Sequence, residues 1–235
     1  ELIIKYTVTM FKGKKILAII PARSGSKRIK NKNIIKFKGE PMIVKTLKIA
    51  KKSRYIDKVI ISTDSKKILN LSKKYGDQTP FLRKSAFDDK SSVQEATIVA
   101  LKQTESYYTN FDIVIQLMPN CPNRKLKTLN SSIKHFFKSK KKSQISFFEY
   151  GFANPWWAHK IKGKNIKPIS RKNIFTRSQD LEKLYCPTGS IWISYVDTLK
   201  KYKTFYSPNY GYFLMNFDEA IDIDTYEDLA LAKKI

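Results

Sequence analysis

The sequence predicts an α/β fold: a mostly parallel sheet, doubly wound by helices, with an arm inserted late in the chain. Three observations predict it. Short apolar runs recur at residues 16–20, 59–61, 113–115 and 145–148, each bounded by turn residues. Stretches with helical spacing of apolar residues lie between them, and strands alternating with helices make βαβ units. The length, 235 residues, suits one such domain with a full core.

Each element has a local reason. Residues 16–20 (Ile-Leu-Ala-Ile-Ile) are apolar without a break, as a strand buried on both faces requires. Residues 41–52 open with Pro41 at a first helical position and space Ile43, Leu47 and Ala50 at helical intervals. Residues 64–75 offer Asp64 or Ser65 as N-cap, Ile68 and Leu71 inward, and Gly76 as a stop. Residues 91–101 and 126–137 read the same way. Beyond Lys138 the pattern breaks, and residues 150–184 show no clear period. Regular structure resumes at 190–194 and ends in a helix at 226–233. The expected organisation is an extension at 1–13 and a domain at 14–235, with 140–187 as the inserted arm. Phe152, Trp156 and Trp157 in that arm are apolar anchors either for a second subunit or for the arm's own domain.

Composition narrows the function. The net charge is +26, which suggests an acidic partner such as nucleic acid. Yet it comes from 39 lysines and only 7 arginines, spread along the whole chain. Readers of nucleic acid concentrate arginine and aromatics on one face, so most of this charge reads as solvated surface. No apolar run approaches the ~20 residues of a membrane span. Residues 1–9 lack the features of a secretory signal, Met10 is a candidate start, and Cys121 and Cys186 form no metal-spaced motif. A reducing, cytoplasmic setting is expected.

In open parallel sheets ligands bind beyond the carboxyl ends of the strands. There the first run leads into Arg23, Ser24, Gly25, Ser26, Lys27 and Arg28. A buried strand followed by a basic loop with glycine and serine can hold phosphates through backbone N–H groups and fixed cations. A solvated basic loop fits these residues equally well. The second run leads to Ser62, Thr63 and Asp64, which read mainly as a helix cap. The third leads to Gln116, a core-edge hydrogen bond or a ligand contact. Near the end, Asp222 and Asp224 alternate with Ile221 and Ile223. In an extended segment both carboxylates face one side. They hold a cation, or else Asp224 caps the following helix and Asp222 is solvated.

The segment Pro21-Ala22-Arg23-Ser24-Gly25-Ser26-Lys27, followed by Lys32-Asn33, closely resembles the nucleotide-binding signature of the sugar cytidylyltransferases. It is most similar to the enzymes that activate sialic acid, pseudaminic acid and legionaminic acid. No Walker A or Gly-x-Gly-x-x-Gly motif is present. The resemblance runs over nearly the whole chain and implies a Rossmann-like nucleotidyltransferase fold. It implies that Arg23 and Lys27 hold the triphosphate of CTP, with Gly25, Ser26 and Asn33 beside them. It also implies that Arg83, and the stretch from Asp89 through Ser91 and Ser92, surround the cytidine. Gln116 matches a glutamine near nucleotide and sugar. Arg177 and Gln179, with Trp192, match segments that approach the sugar acid. Asp222 and Asp224 match a near-terminal Ile-Asp-Ile-Asp-Thr that binds Mg²⁺. Some positions depart from the pattern. Arg28 stands where sialic acid synthetases generally have glycine, Lys30 replaces a proline, residues 118–122 replace a Pro-Thr-Ser-Pro type segment, and Trp192 replaces tyrosine.

The implied activity is transfer of CMP from CTP to a nonulosonic acid by a homodimer whose arm forms the subunit contact. The competing expectations are a nucleic-acid-binding protein and a catalytically inactive nucleotide-binding relative.

Overall fold

Ile16–Pro21 (β1) is buried along its whole length, as its unbroken apolar run requires. The computed structural model describes residues 10–86, 88 and 90–235. Glu1–Thr9 and Asp89 lie outside the described residues. After β1 a short 3₁₀ turn, Lys32–Ile34, leads to a two-stranded ribbon of Lys36–Phe37 (β2) and Glu40–Pro41 (β3). Then follow Met42–Lys52 (α1), Lys58–Ser62 (β4), Lys66–Lys73 (α2), Val93–Tyr107 (α3), Ile113–Gln116 (β5) and Leu126–Ser139 (α4). Next come Ser143–Glu149 (β6), the hairpin His159–Lys162 (β7) and Asn165–Pro168 (β8), and Tyr185–Tyr195 (β9). Val196–Tyr202 (α5), Gly211–Leu214 (β10), Phe217–Ala220 (α6) and Tyr226–Lys234 (α7) complete the chain.

The central sheet runs β10-β6-β9-β5-β1-β4. β4, β1 and β5 are mutually parallel, as are β6 and β10, and β9 runs antiparallel to both its neighbours. The parallel half is the one its apolar runs predict. β9 reverses because the chain reaches it from β6 through the arm, without the crossover over a sheet face that a parallel neighbour needs. Alternation along β1 splits the core. Ile16, Ala18 and Ile20 pack with α1 and α4 on one face. Leu17 and Ile19 pack with α3 and α5 on the other. A smaller cluster joins Ile221, Ile223 and Leu229 to Ile29, Phe37 and Met42. It clamps the chain's end beside the loop that follows β1.

Several boundaries shift for local reasons. Ser65, not Asp64, caps α2, accepting from Ile68 N at 3.4 Å. Ser92 and Glu95 form a capping box, so α3 begins two residues later than the periodicity suggests. Gly76 follows α2 with φ +83°, the left-handed stop expected of it. Phe11, expected in the extension, packs on Tyr55 and Phe137 at ring distances of 4.5 and 5.0 Å. The arm narrows to residues 150–184, because β6 and the first residues of β9 belong to the central sheet. Within it Trp157 Nε1 donates to Asn173 O at 3.1 Å and Trp156 Nε1 to Glu182 O at 3.0 Å. The tryptophans therefore bind the arm to itself. Phe152, 96% exposed, and Phe175, 89% exposed, are the barest of its apolar groups.

Candidate active site

The loop after β1 is tied at both ends. Asp64, just past β4, accepts from Ser24 N at 2.9 Å and from Ser24 Oγ. Buried Asn33 donates from Nδ2 to Arg23 O at 3.0 Å. Asp64 is thus the loop's anchor rather than a helix cap. A Cβ built on Gly25 meets no protein atom within 4 Å, so that position faces open space.

Arg23, Ser26, Lys27 and Asn33 from this loop line a cleft of about 490 Å³. Its opposite wall is Arg83 with Ser91, Ser92 and Val93, where α3 starts. Arg83 is buried, donating from Nη1 to Ser62 O at 2.7 Å and from Nε to Ser85 O at 3.1 Å. Burial, and then the nearby Arg23, lower its pKa, while Asp64 opposes them. Arg23 Nη1 donates to Asp88 O at 3.1 Å, and the Asp88 carboxylate accepts from Ser91 N and Oγ at 2.8 and 2.9 Å. The bonds from Ser91 hold that carboxyl below its usual range. The cleft therefore combines fixed cations with the N-terminus of a long helix, a setting for anionic oxygens.

Asp224 stands on the cleft's remaining side, and Asp222 lies behind it, bonded to the cleft-lining Asn120. Ile221 and Ile223 are buried and Asp222 and Asp224 point the other way, as the alternation predicts. Thr225 caps α7, with Asp228 completing the box, which leaves Asp224 free of that duty. Asp224 lines the cleft and accepts from Lys32 Nζ at 2.6 Å and from Arg28 Nη2. Burial alone would raise its carboxyl, but Lys32 and Arg28 outweigh it and hold Asp224 below its usual range. Asp222 accepts from Asn120 Nδ2, and Ile223 N donates to Asn120 O at 2.8 Å. Surrounding protein, and then the charge of Asp224, push the Asp222 carboxyl up to about 6, although its surface still reaches solvent at the open side.

These two carboxylates fit Mg²⁺. Among the described residues no cage of three or more His, Cys, Asp or Glu forms. Magnesium takes only one or two protein carboxylates and fills its octahedron with phosphate and water oxygens. The mutual repulsion expressed in the raised Asp222 is what a bridging cation relieves.

The sugar-side residues are not gathered in the same way. Gln116 is fully buried and does not line the cleft, its Oε1 accepting from Thr97 Oγ1 at 2.8 Å. Trp192 lies in the core between Phe205 and Tyr206, its indole N–H bonded to Thr188 O at 2.7 Å. Arg177, paired with Asp180 at 2.8 Å, and Gln179 sit on the exposed arm. Sequence reasoning put Asn120 and Arg124 on a loop at the sheet's edge and Lys32 in the signature, but gave none of the three a role of its own. Gln116 Nε2, Asn120 Oδ1 and Arg124 Nη1 are all buried without a protein partner. That demand in one short segment is met by water or by the polar groups of a ligand. The signal for Asn120 was its place, a polar residue between prolines just past a strand's carboxyl end.

Comparison with known proteins gives the chain's family. A family model described as Cytidylyltransferase matches residues 17–201. A CMP-N,N'-diacetyllegionaminic acid synthase of Legionella pneumophila is 35% identical over 94% of this chain and 96% of its own length. A pseudaminic acid cytidylyltransferase of Campylobacter jejuni is 31% identical over 93% and 95%. Among solved structures, a CMP:2-keto-3-deoxy-manno-octonic acid synthetase complexed with CTP superposes with a TM-score of 0.69, covering 94% of this chain and 97% of the other. At 15% identity that likeness speaks for the fold. The nucleic-acid reading of the charge finds no support beside these matches. By the family model and by both relatives, this chain belongs to the cytidylyltransferase family.

Proposed function

We propose that this chain transfers CMP from CTP to the anomeric hydroxyl of a sialic-acid-like nonulosonic acid and releases pyrophosphate. The observation that carries the reading is the cleft itself, with anchored cations on one side and Asp224 on the other, Asp222 standing just behind Asn120. The hydroxyl oxygen bonds to the α-phosphorus as the bond to the oxygen bridging the α- and β-phosphates breaks, pyrophosphate leaves, and the hydroxyl's proton passes to solvent water. Arg23 and Lys27 hold the β- and γ-phosphates and stabilise the charge that gathers on the leaving pyrophosphate. Asp222 and Asp224 would hold Mg²⁺, which supplies charge neutralisation and acidifies the attacking hydroxyl. Arg83 and the start of α3 bound the base. Arg177 is proposed to pair with the sugar carboxylate, a planar anion that suits guanidinium.

Pyrophosphate release with CTP, ATP and GTP against a panel of nonulosonic acids tests this reading. CTP is expected to be preferred clearly over the purine nucleotides. Pseudaminate or legionaminate is expected to exceed N-acetylneuraminate, because the cleft-lining Arg28 departs from the sialic acid pattern. Equal turnover of ATP would sink the nucleotide assignment, and N-acetylneuraminate well above the others would sink the sugar assignment.

A homodimer through the arm belongs to the same proposal. Phe152, Phe175 and the Ile161 and Ile166 pair of the β7–β8 hairpin are exposed there, an apolar set of the kind that anchors interfaces. Sedimentation at micromolar concentration should show the dimer, and a monomer alone would remove this part. A cytoplasmic setting is proposed too. No helix among the described residues is long and apolar enough to cross a membrane, and both cysteines are free.

A further inference from the structure

Both oxygens of Asp224 are taken by cations, Oδ1 by Lys32 Nζ at 2.6 Å and Oδ2 by Arg28 Nη2. A metal drawing on Asp224 needs one of them. The two cations are not equivalent. The Lys32 side chain is 17% exposed and starts a 3₁₀ turn. The Arg28 side chain is 65% exposed, lines the cleft, and sits on the loop between the Ser24 anchor and that turn. An exposed pair contributes little to stability, so Arg28 leaves Asp224 at small cost. A guanidinium also binds phosphate oxygens in a two-pronged geometry that suits it at least as well as a carboxylate.

Resting on the reading of the cleft as a nucleotide site, we propose that Arg28 is an exchangeable cation. Before nucleotide enters it covers Asp224. On entry it moves to an anionic oxygen of the phosphates and uncovers the carboxylate. The metal site is then completed only once the nucleotide is in place, and metal and nucleotide bind cooperatively. Lys32 stays on Asp224 throughout and keeps the carboxylate oriented. Arg28 acts here as a positioning and binding residue, and it does so at a position where the resemblance predicts glycine in the sialic acid enzymes.

Binding measurements on the whole chain separate this from a plain surface ion pair. Free Mn²⁺ is read by its paramagnetic resonance signal without nucleotide, and CTP affinity is read by calorimetry without divalent metal. Arg28→Ala is expected to bind Mn²⁺ alone roughly 5–10-fold tighter and CTP alone several-fold weaker, the size of coupling that one charged contact carries. Arg28→Lys should keep Mn²⁺ affinity near wild type while weakening CTP less than alanine does, and Arg28→Gln should repeat the alanine result if alanine perturbs the loop. Mn²⁺ affinity within two-fold of wild type in both neutral variants overturns the proposal, whatever happens to CTP. A wild-type chain that binds no CTP overturns the nucleotide reading instead, and the Mn²⁺ measurement still decides whether Arg28 covers Asp224.

Discussion

Lys27→Ala is expected to lower pyrophosphate release by roughly 10²–10³, the usual loss when one charge-assisted contact to a developing anion is removed. The melting temperature should not move, because Lys27 is exposed and exposed substitutions away from caps and cores stay within about 0.5 kcal/mol. The competing account is that Lys27 is one more solvated lysine among 39. Two facts weigh against it. Lys27 lines the cleft, and its loop is held by Asp64 on one side and Asn33 on the other. A cation on an anchored loop meets phosphate without first losing backbone entropy. Lys30→Ala is the control, since Lys30 is exposed on the same loop. Equal activity of both variants and the wild type would return Lys27 to the solvated surface.

How far the chain could be read in advance follows from which interactions are local. The strands of the parallel half announce themselves because a strand buried on both faces must be apolar without interruption, as Ile16 through Ile20 are. The helices announce themselves through caps and spacing, and their starts were placed within two residues, although α3 runs six residues past its expected end at Leu101. Ser65 and Ser92 are both serines beside another good capping residue, and sequence alone does not choose between neighbours. β10 and the reversal of β9 were not legible, since pairing partners far apart in sequence are chosen by tertiary packing.

The site divides along the same line. Arg23, Lys27 and Asn33 lie on one short loop after one strand, and the structure keeps them together in the cleft. Gln116, Trp192 and Arg177 lie on three separate elements, and the structure leaves the first two in the interior and the third on the exposed arm. Trp192 reads as a pocket residue only by resemblance. Its indole is large and apolar, and the nearest apolar space is the core around Phe205. The roles of Asp64 and Asn120 were hidden for a different reason. Each acts by holding another residue, Ser24 and Asp222 respectively, more than 35 positions away.

Asp222→Asn is expected to abolish Mg²⁺-dependent turnover while leaving the chain folded and somewhat more stable at neutral pH. Asparagine keeps the shape and the oxygen that accepts from Asn120, and it removes only the charge. In the folded chain the Asp222 carboxyl is pushed up to about 6, by the protein around it and then by Asp224. A raised carboxyl binds its proton more tightly folded than unfolded, so ionising it opposes folding. That penalty is fully present above pH 6 and fades as pH falls toward the unfolded value near 4. Its full size would be about 3 kcal/mol, and solvent contact on the open side screens it to about 1. Without metal, the variant should therefore melt ~2–4 °C higher than wild type at pH 7.5. The two should converge at pH 4.5. Added Mg²⁺ should stabilise the wild type and not the variant, since a ligand stabilises only the state that binds it. If Asp222 were merely solvated, replacing it would shift neither the melting temperature nor the activity. An Asp222→Asn chain that keeps wild-type Mg²⁺-dependent turnover would place the metal elsewhere. The same carboxylate would then be only the partner that orients Asn120 at the cleft wall.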